Sequence, residues 1–355
     1  ILRPVLADPG RYGHAPAPSG QRVMVEFSSP NTNKPLHLGH IRNNLLGATV
    51  SNLLESQGHD VVRANLVNDR GIHICKSMLA YQRFGRGETP ESTGEKGDLF
   101  VGRYYVRFDR ESTSDDDELM EGARDLLRRW EAGDEEVVTL WKRMNGWVYR
   151  GFDQTYERLG IRFDRIYHES ETYKLGRATV LEALERDVGE RGEDGAVSID
   201  LSDDGLDRKL LLRSDGTSLY ITQDIGTAQL KQEDYGLDRS IYVVGSEQDY
   251  HFKVLFLILG KMGFDWAAGL QHLSYGMVYL PEGKMKSREG KVVDADELME
   301  DVVQSVRQRM LDRDEELRGA DGEGPRECAS AVAEHSELAL HELDAISETV
   351  GPAAL

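Results

Sequence analysis

Hydrophobic positions along the chain switch between two periods. The run 23–27, apolar except at Glu26, predicts a buried strand. After a polar loop, Ile41, Leu45, Leu46, Val50, Leu53 and Leu54 recur at helical spacing, and Gly58 closes that helix. A second strand is predicted at 61–67. Together these make a βαβ unit whose helix begins near His37 to His40. The stretch 84–117 is punctuated by Gly, Thr and Ser and ends in acidic residues, which predicts a solvated insertion. Helices are expected at 118–132, 135–158 and 174–186, with short strands at 195–201 and 209–213. A second block then reads as strand 219–222, helix 225–232, strand 241–244, helix 250–262 and strand 272–279.

Two blocks of alternating strands and helices predict an α/β fold. The expected form is a doubly wound parallel sheet with an inserted α+β subdomain and a helical C-terminal tail. The expected division is a linker at 1–20, the first half of the sheet domain at 21–84, the insertion at 85–215, the second half at 216–294 and a helical segment at 295–355. Ligands in such sheets sit at the carboxyl ends of the strands, where strand order reverses. The tail ends without a cap at Val350-Gly351-Pro352, so the chain is expected to be a piece of a longer protein.

Composition narrows the class. At 355 residues, 39% hydrophobic and 30% charged, the chain is neither disordered nor collagen-like and can bury a sizeable core. No apolar run reaches the roughly 18 residues that span a bilayer, and no signal-peptide pattern opens the chain. The two cysteines, Cys75 and Cys328, form no CxxC pair, so neither a disulfide scaffold nor a structural zinc site is expected, and a reducing cytosol is the expected setting. The net charge of −20 opposes a polyanionic partner. Its basic residues are 12 Lys against 31 Arg, a balance that suits high internal salt, where a Debye length of roughly 3 Å at 1 M screens surface repulsion.

Two segments carry candidate chemistry. In Glu26-Phe-Ser-Ser-Pro-Asn-Thr-Asn-Lys-Pro-Leu-His-Leu-Gly-His40 a strand ends, prolines stiffen the turn, and His37 and His40 lie three residues apart across a helix start. Gly39 lets a ligand approach the backbone, and free N–H groups with the helix dipole favour phosphate there. The plainer alternative is a helix cap with two incidental histidines. No third ligand accompanies them, so no metal site is expected. The second segment, Gly283-Lys-Met-Lys-Ser-Arg-Glu-Gly290, gathers Lys284, Lys286 and Arg288 in a glycine-bounded loop that can close over a polyphosphate or stand as a solvated basic turn. Neither G-x-x-x-x-G-K-[ST] nor G-x-G-x-x-G occurs, so any ATP is held without a P-loop.

An H-x-G-H after the first strand and a K-M-x-x-[SR] loop after the last resemble the class I aminoacyl-tRNA synthetases. Glu26 to Asn31 with Lys34, the stretch 219–226 (Leu-Tyr-Ile-Thr-Gln-Asp-Ile-Gly) and the stretch 242–249 (Tyr-Val-Val-Gly-Ser-Glu-Gln-Asp) are similar to the arginyl-tRNA synthetase family. The likeness runs from about Val23 to Val293 and is loose in the insertion.

The resemblance implies a two-step reaction using ATP with Mg²⁺. The carboxylate of L-arginine attacks the α-phosphate, pyrophosphate leaves, and the arginyl group passes to tRNA(Arg). It implies that His37, Gly39 and His40 meet the phosphates and that Lys284 stabilises the departing pyrophosphate with Lys286 nearby. Where a second lysine is common in this loop the chain has Ser287, and Lys34 stands in the place that substitutes for it. Glu26 and Asp224 would grip the guanidinium, Tyr220 and Gln248 would line the side chain, and Asn31 would hold the α-amino or carboxylate end. His251 and the backbone of Gly276, Met277 and Val278 would form the nucleotide edge. Considered apart from the resemblance, the alternatives are that Glu26 pairs with a basic neighbour, Asp224 caps a helix and Tyr220 sits in the core, while Asp69, at a strand end, either faces the site or caps the next helix. The resemblance further implies a cytoplasmic monomer that lacks here its tRNA-contacting and anticodon-binding domains. A small-molecule nucleotidylyltransferase and a non-catalytic RNA-binding paralogue are the rival readings.

Overall fold

The computed structural model describes residues 5–6, 8, 10–112, 118–278 and 293–320. Strand β1 (Arg22–Glu26) leads through a turn into helix α1 (Leu38–Ser56), which returns along β2 (Asp60–Val67). Helices α2 (Ile72–Phe84), α3 (Pro90–Thr93), α4 (Gly97–Glu111), α5 (Glu118–Glu131) and α6 (Glu135–Arg158) follow. Next come β3 (Arg165–His168), α7 (Glu169–Thr172), α8 (Arg177–Glu185), β4 (Glu190–Arg191), β5 (Val197–Ile199) and β6 (Lys209–Leu212). The last elements are α9 (Tyr220–Tyr235), β7 (Arg239–Gly245), α10 (Asp249–Lys261), β8 (Leu270–Tyr275) and α11 (Ala295–Ala320).

Five strands form a parallel sheet in the order β3-β2-β1-β7-β8, the expected α/β architecture. Its middle strand is shielded on both faces: Val23, Met24 and Val25 are 0% exposed, which is why they read as an unbroken apolar run. Fully burying each such side chain contributes about 1.5–3 kcal/mol. Chain order reverses at β1, so the ends of β1 and β7 form the crevice where ligands of such sheets bind. The smaller sheet β4-β5-β6 is antiparallel and shares a core with α8, α9 and α10 through Val197, Leu211, Ile225 and Val254.

Three expectations are corrected. The segment 219–222 is not a strand: Leu219 is the N-cap of α9 and Tyr220 its first residue. A short apolar run does not itself distinguish strand from helix. The region 84–117 is not, in its described part, solvated. Within α4, Phe100, Val101, Tyr104, Tyr105 and Phe108 are each 4% exposed or less, and all but Tyr105 belong to the same core as β1 and α6. The strand expected at 272–279 runs instead from Leu270 to Tyr275, so Gly276 to Val278 follow it as loop. On α1 the spacing agrees with the structure: Ile41 is buried and Leu45, Leu46, Val50 and Leu54 pack against the core, with Leu53 alone of those named exposed. A Cβ on Gly47 would lie 2.1 Å from the Phe27 ring, so glycine lets the helix settle onto the strand.

No helix among the described residues is long and apolar enough to cross a membrane.

Candidate active site

The turn after β1 is built under strain. Ser28 and Ser29 take φ of 76° and 46°, a region L-residues rarely adopt. Side chains from three elements hold them there. The Ser28 N–H donates to Asn43 Oδ1 at 2.5 Å, the Ser29 N–H donates to Asn65 Oδ1 at 3.1 Å, and the Ser28 and Tyr156 hydroxyls are 2.6 Å apart. Asn43 in turn donates to the Val243 carbonyl at 2.7 Å and to the Tyr275 hydroxyl at 2.9 Å. The turn is thus referenced to α1, β2, α6, β7 and β8 at once. Asn31 lies just beyond it, exposed and bridged to Asn68 after β2.

His37 and His40 open α1 as a reciprocal cap. The Gly39 N–H donates to His37 Nδ1 and the His37 N–H donates to His40 Nδ1, each at 3.1 Å, with the rings 4.0 Å apart. Burial, reinforced by Lys34, lowers His37 to about 4. Burial, His37 and Lys34 lower His40 well below the ordinary 6.5. Both rings are therefore neutral at pH 7. Because each Nδ1 accepts, each proton sits on Nε2 and that atom is the remaining donor. The cap and the phosphate readings of this pair are compatible: capping uses one nitrogen and presents the other.

The loop that carries Lys284 and Lys286, with Ser287 and Arg288, lies outside the described residues. Its exit is anchored on the histidines. Leu38 N–H donates to the Val293 carbonyl at 3.0 Å, Ala295 N–H donates to the Leu36 carbonyl at 3.1 Å, and His37 bridges Asp294. Its entry follows β8 through Gly276, Met277 and Val278, and a Cβ on Gly245 at the end of β7 would lie 2.9 Å from the Met277 sulfur.

The acidic residues meet on the other side of the crevice. Glu26, the last residue of β1, is 5% exposed and ion-paired through Oε2 to the buried Lys231 of α9, so its plainer alternative, a basic partner, is present. Asp224 is the fifth residue of α9, not its cap, and accepts from His251 Nε2 of α10 at 2.6 Å. Tyr220, one turn earlier, is 77% exposed and not core. Against burial, which lowers it, the Glu26 and Asp224 carboxylates both raise the Lys231 ammonium above its ordinary value, Glu26 through direct contact. Gln248 is exposed in the turn Ser246–Gln248 that follows β7.

Asp69 is 1% exposed and does not cap the next helix, α2: its carboxylate accepts from Ser170 N–H (2.8 Å), Ser170 hydroxyl (2.7 Å) and Tyr149 hydroxyl (2.9 Å), fixing the start of α7. The role of Glu169 there escaped the sequence reading. Glu169, the residue thereby positioned, is pushed up to about 7 by burial, opposed by Arg70 and reinforced by Asp69 and Asp224. The Arg70 guanidinium already lies 3.9 Å from Glu169 Oε1. Close approach of two glycines sets this geometry, since a Cβ on Gly226 would stand 2.2 Å from the Gly176 nitrogen.

Among the described residues no group of three or more His, Cys, Asp or Glu is arranged to hold a metal ion. A separate surface cavity of about 990 Å³, lined in part by Tyr81, Arg86, Asp134 and Arg143, shares no residue with this site.

A parallel sheet whose order reverses at β1, a histidine pair capping the first helix and the Glu26–Lys231 pair at the end of β1 define an α/β fold with a polar crevice at its strand ends. The family model described as tRNA synthetases class I (R), catalytic domain, matches residues 2–335, and the chain belongs to that family. It is 54% identical over 349 residues to the arginine–tRNA ligase of Bacteroides thetaiotaomicron, an alignment covering 94% of this chain and 55% of that protein. It is 55% identical over 311 residues to the arginine–tRNA ligase of Amoebophilus asiaticus, covering 83% and 52%. The chain thus spans about half the length of these curated relatives. In fold it is similar to the Thermus thermophilus arginyl-tRNA synthetase (TM-score 0.73, 22% identity, 99% of this chain and 60% of that one). It is likewise similar to the arginyl-tRNA synthetase of Plasmodium falciparum (TM-score 0.69, 20% identity, 95% and 52%).

Proposed function

We propose that this chain is the amino-acid-activating part of an arginine–tRNA ligase. A carboxylate oxygen of L-arginine attacks the α-phosphorus of ATP. The bond to the bridging oxygen breaks, pyrophosphate leaves with the electron pair, and arginyl-adenylate forms. The terminal ribose hydroxyl of tRNA(Arg) then displaces AMP. Such a reaction rests on positioning and charge stabilisation.

The observation that carries the reading is the pairing of neutral histidines presenting Nε2–H with carboxylates gathered one strand away. In it His37 and His40 donate to phosphate oxygens as charge develops, Gly39 gives room, and Lys34 and Lys284 supply the cations, with Lys286 beside the triphosphate. Glu26, Asp224 and Glu169 attract the guanidinium, Tyr220 and Gln248 line its stem, and Asn31 holds the α-amino acid end. His251, tied to Asp224, and Gly276 to Val278 border the nucleotide. Mg²⁺ in this reading arrives with the nucleotide, which suits a cation that keeps several waters and binds through substrate phosphates. The halves at 21–84 and 216–294 then flank the intervening 85–215, with β1 and β2 drawn from one half and β7 and β8 from the other. A cytosolic monomer belongs to the same proposal; Cys75, buried and pushed up to about 12 by that burial, suits a reducing compartment.

The test is ATP–pyrophosphate exchange with tRNA(Arg) supplied. Exchange that depends on arginine, and that Lys284→Ala slows by about 10²-fold or more, is the expected result. Exchange independent of arginine would favour a small-molecule nucleotidylyltransferase, and no nucleotide binding a non-catalytic paralogue.

A further inference from the structure

The α9 face that carries Tyr220 and Asp224 continues, seven residues on, to Lys231. That side chain is 3% exposed and its ammonium touches Oε2 of Glu26, whose own side chain is 7% exposed. The Tyr242 ring lies 4.8 Å from the ammonium and the Tyr167 ring 5.9 Å. Burial works to lower the Lys231 pKa, but Glu26, Tyr242 and Asp224 outweigh it and raise the ammonium above its ordinary value. Glu26 is thus paired with Lys231 from α9, and Tyr242 of β7 lies against the same ammonium.

A buried ion pair is weak evidence for stability, because desolvating two charges offsets most of their attraction. What this pair does is geometric and electrostatic. Glu26 belongs to β1 and Asp224 to α9, and Lys231 joins the two elements. With Lys231 in place, Glu26 and Asp224 together present a net single negative charge. Without it Glu26 is a lone buried carboxylate, a group that neutralises itself by taking a proton.

We propose that Lys231 is a positioning and specificity residue of the amino-acid site: it holds one oxygen of Glu26, docks the Asp224 face of α9 onto β1, and sets the charge of the pair to match one guanidinium. This rests on the arginine reading of the site given above.

The test is calorimetric titration of arginine into the 355-residue wild type, Lys231→Met and Lys231→Arg, from about pH 6 to about pH 8.5, with the melting temperature of each. Measurable wild-type binding upholds the arginine reading by itself; its absence removes both. Given it, Lys231→Met is expected to weaken arginine binding by about tenfold or more, because Glu26 loses its cation and the Asp224-bearing helix loses its tie to β1. Lys231→Arg is expected to stay within about threefold of wild type at every pH, because it retains the cation. A Lys231→Met protein with a lowered melting temperature but wild-type affinity and pH profile would reduce Lys231 to a structural lysine and overturn the proposal. If Lys231→Met does not fold, Lys231→Gln, which leaves Glu26 in place, is read in its stead: weakened arginine binding supports the proposal and wild-type affinity overturns it.

Discussion

His37 and His40 cap each other's turn: the backbone N–H of His37 donates to Nδ1 of His40 at 3.1 Å while His37 Nδ1 accepts from Gly39. The first helical turn and the ring tautomers are therefore a single structure, and protonating either Nδ1 breaks the cap. The folded His37 value of about 4 lies below the ordinary 6.5, so between those pH values the unfolded chain binds more protons. Stability is then fully present above about 6.5 and falls as pH drops towards 4. Chemical denaturation across this window checks it. Replacing Lys34 by Ala removes a repulsive cation, and both imidazole titrations are expected to move up in an NMR pH series. Unmoved titrations would contradict the electrostatic role given to Lys34.

Glu169 titrates in the opposite sense. Its value of about 7 lies above the ordinary 4.5, so the folded chain keeps a proton there that the unfolded chain has lost, and this contribution disappears as pH rises through about 7. In the proposed arginine pocket a second guanidinium, joining that of Arg70 at 3.9 Å from Glu169, would expel that proton. Arginine binding near pH 6.5 is expected to release protons, seen as a dependence of the calorimetric enthalpy on buffer ionisation. Glu169→Gln is expected to abolish the release. Buffer-independent heats in the wild type would place Glu169 outside the pocket.

Gly226 is required by contact, not by conformation. Its added Cβ would meet the Gly176 nitrogen at 2.2 Å, and backbone cannot step aside as a side chain can. Gly226→Ala is expected to cost about 1–3 kcal/mol or more in thermal or denaturant unfolding and to displace Asp224 two residues away. An unchanged melting temperature with unchanged arginine binding would contradict this account of the α9 turn.

Local pattern carried much of the fold into the sequence. The helix at 135–158 begins with Asp134, whose carboxylate accepts from Val137 N–H, and its predicted bounds coincide with Glu135–Arg158. Strands β1 and β2 were legible as apolar runs because parallel strands are covered on both faces. Helix α4 was not, since Arg103, Arg107 and Glu111 interleave with its buried aromatics and give the stretch a polar look. Of the site, the reciprocal cap was half visible in the spacing of His37 and His40. Lys231 and Glu169 were invisible for a common reason: their partners, Glu26 and Arg70, are distant in sequence, and residue type alone never marks a charged side chain as buried. The one local clue was that Lys231 repeats the helical face of Tyr220 and Asp224.

Titrating arginine, citrulline and lysine separately into the wild type at neutral pH tests the central claim most directly. Citrulline keeps the shape of arginine but not its charge, and lysine keeps the charge but not the planar fork. The carboxylates around Lys231 and Asp224 predict that arginine binds and that each analogue loses about 1–3 kcal/mol or more. Equal heats for arginine and citrulline, or none for arginine, would contradict it.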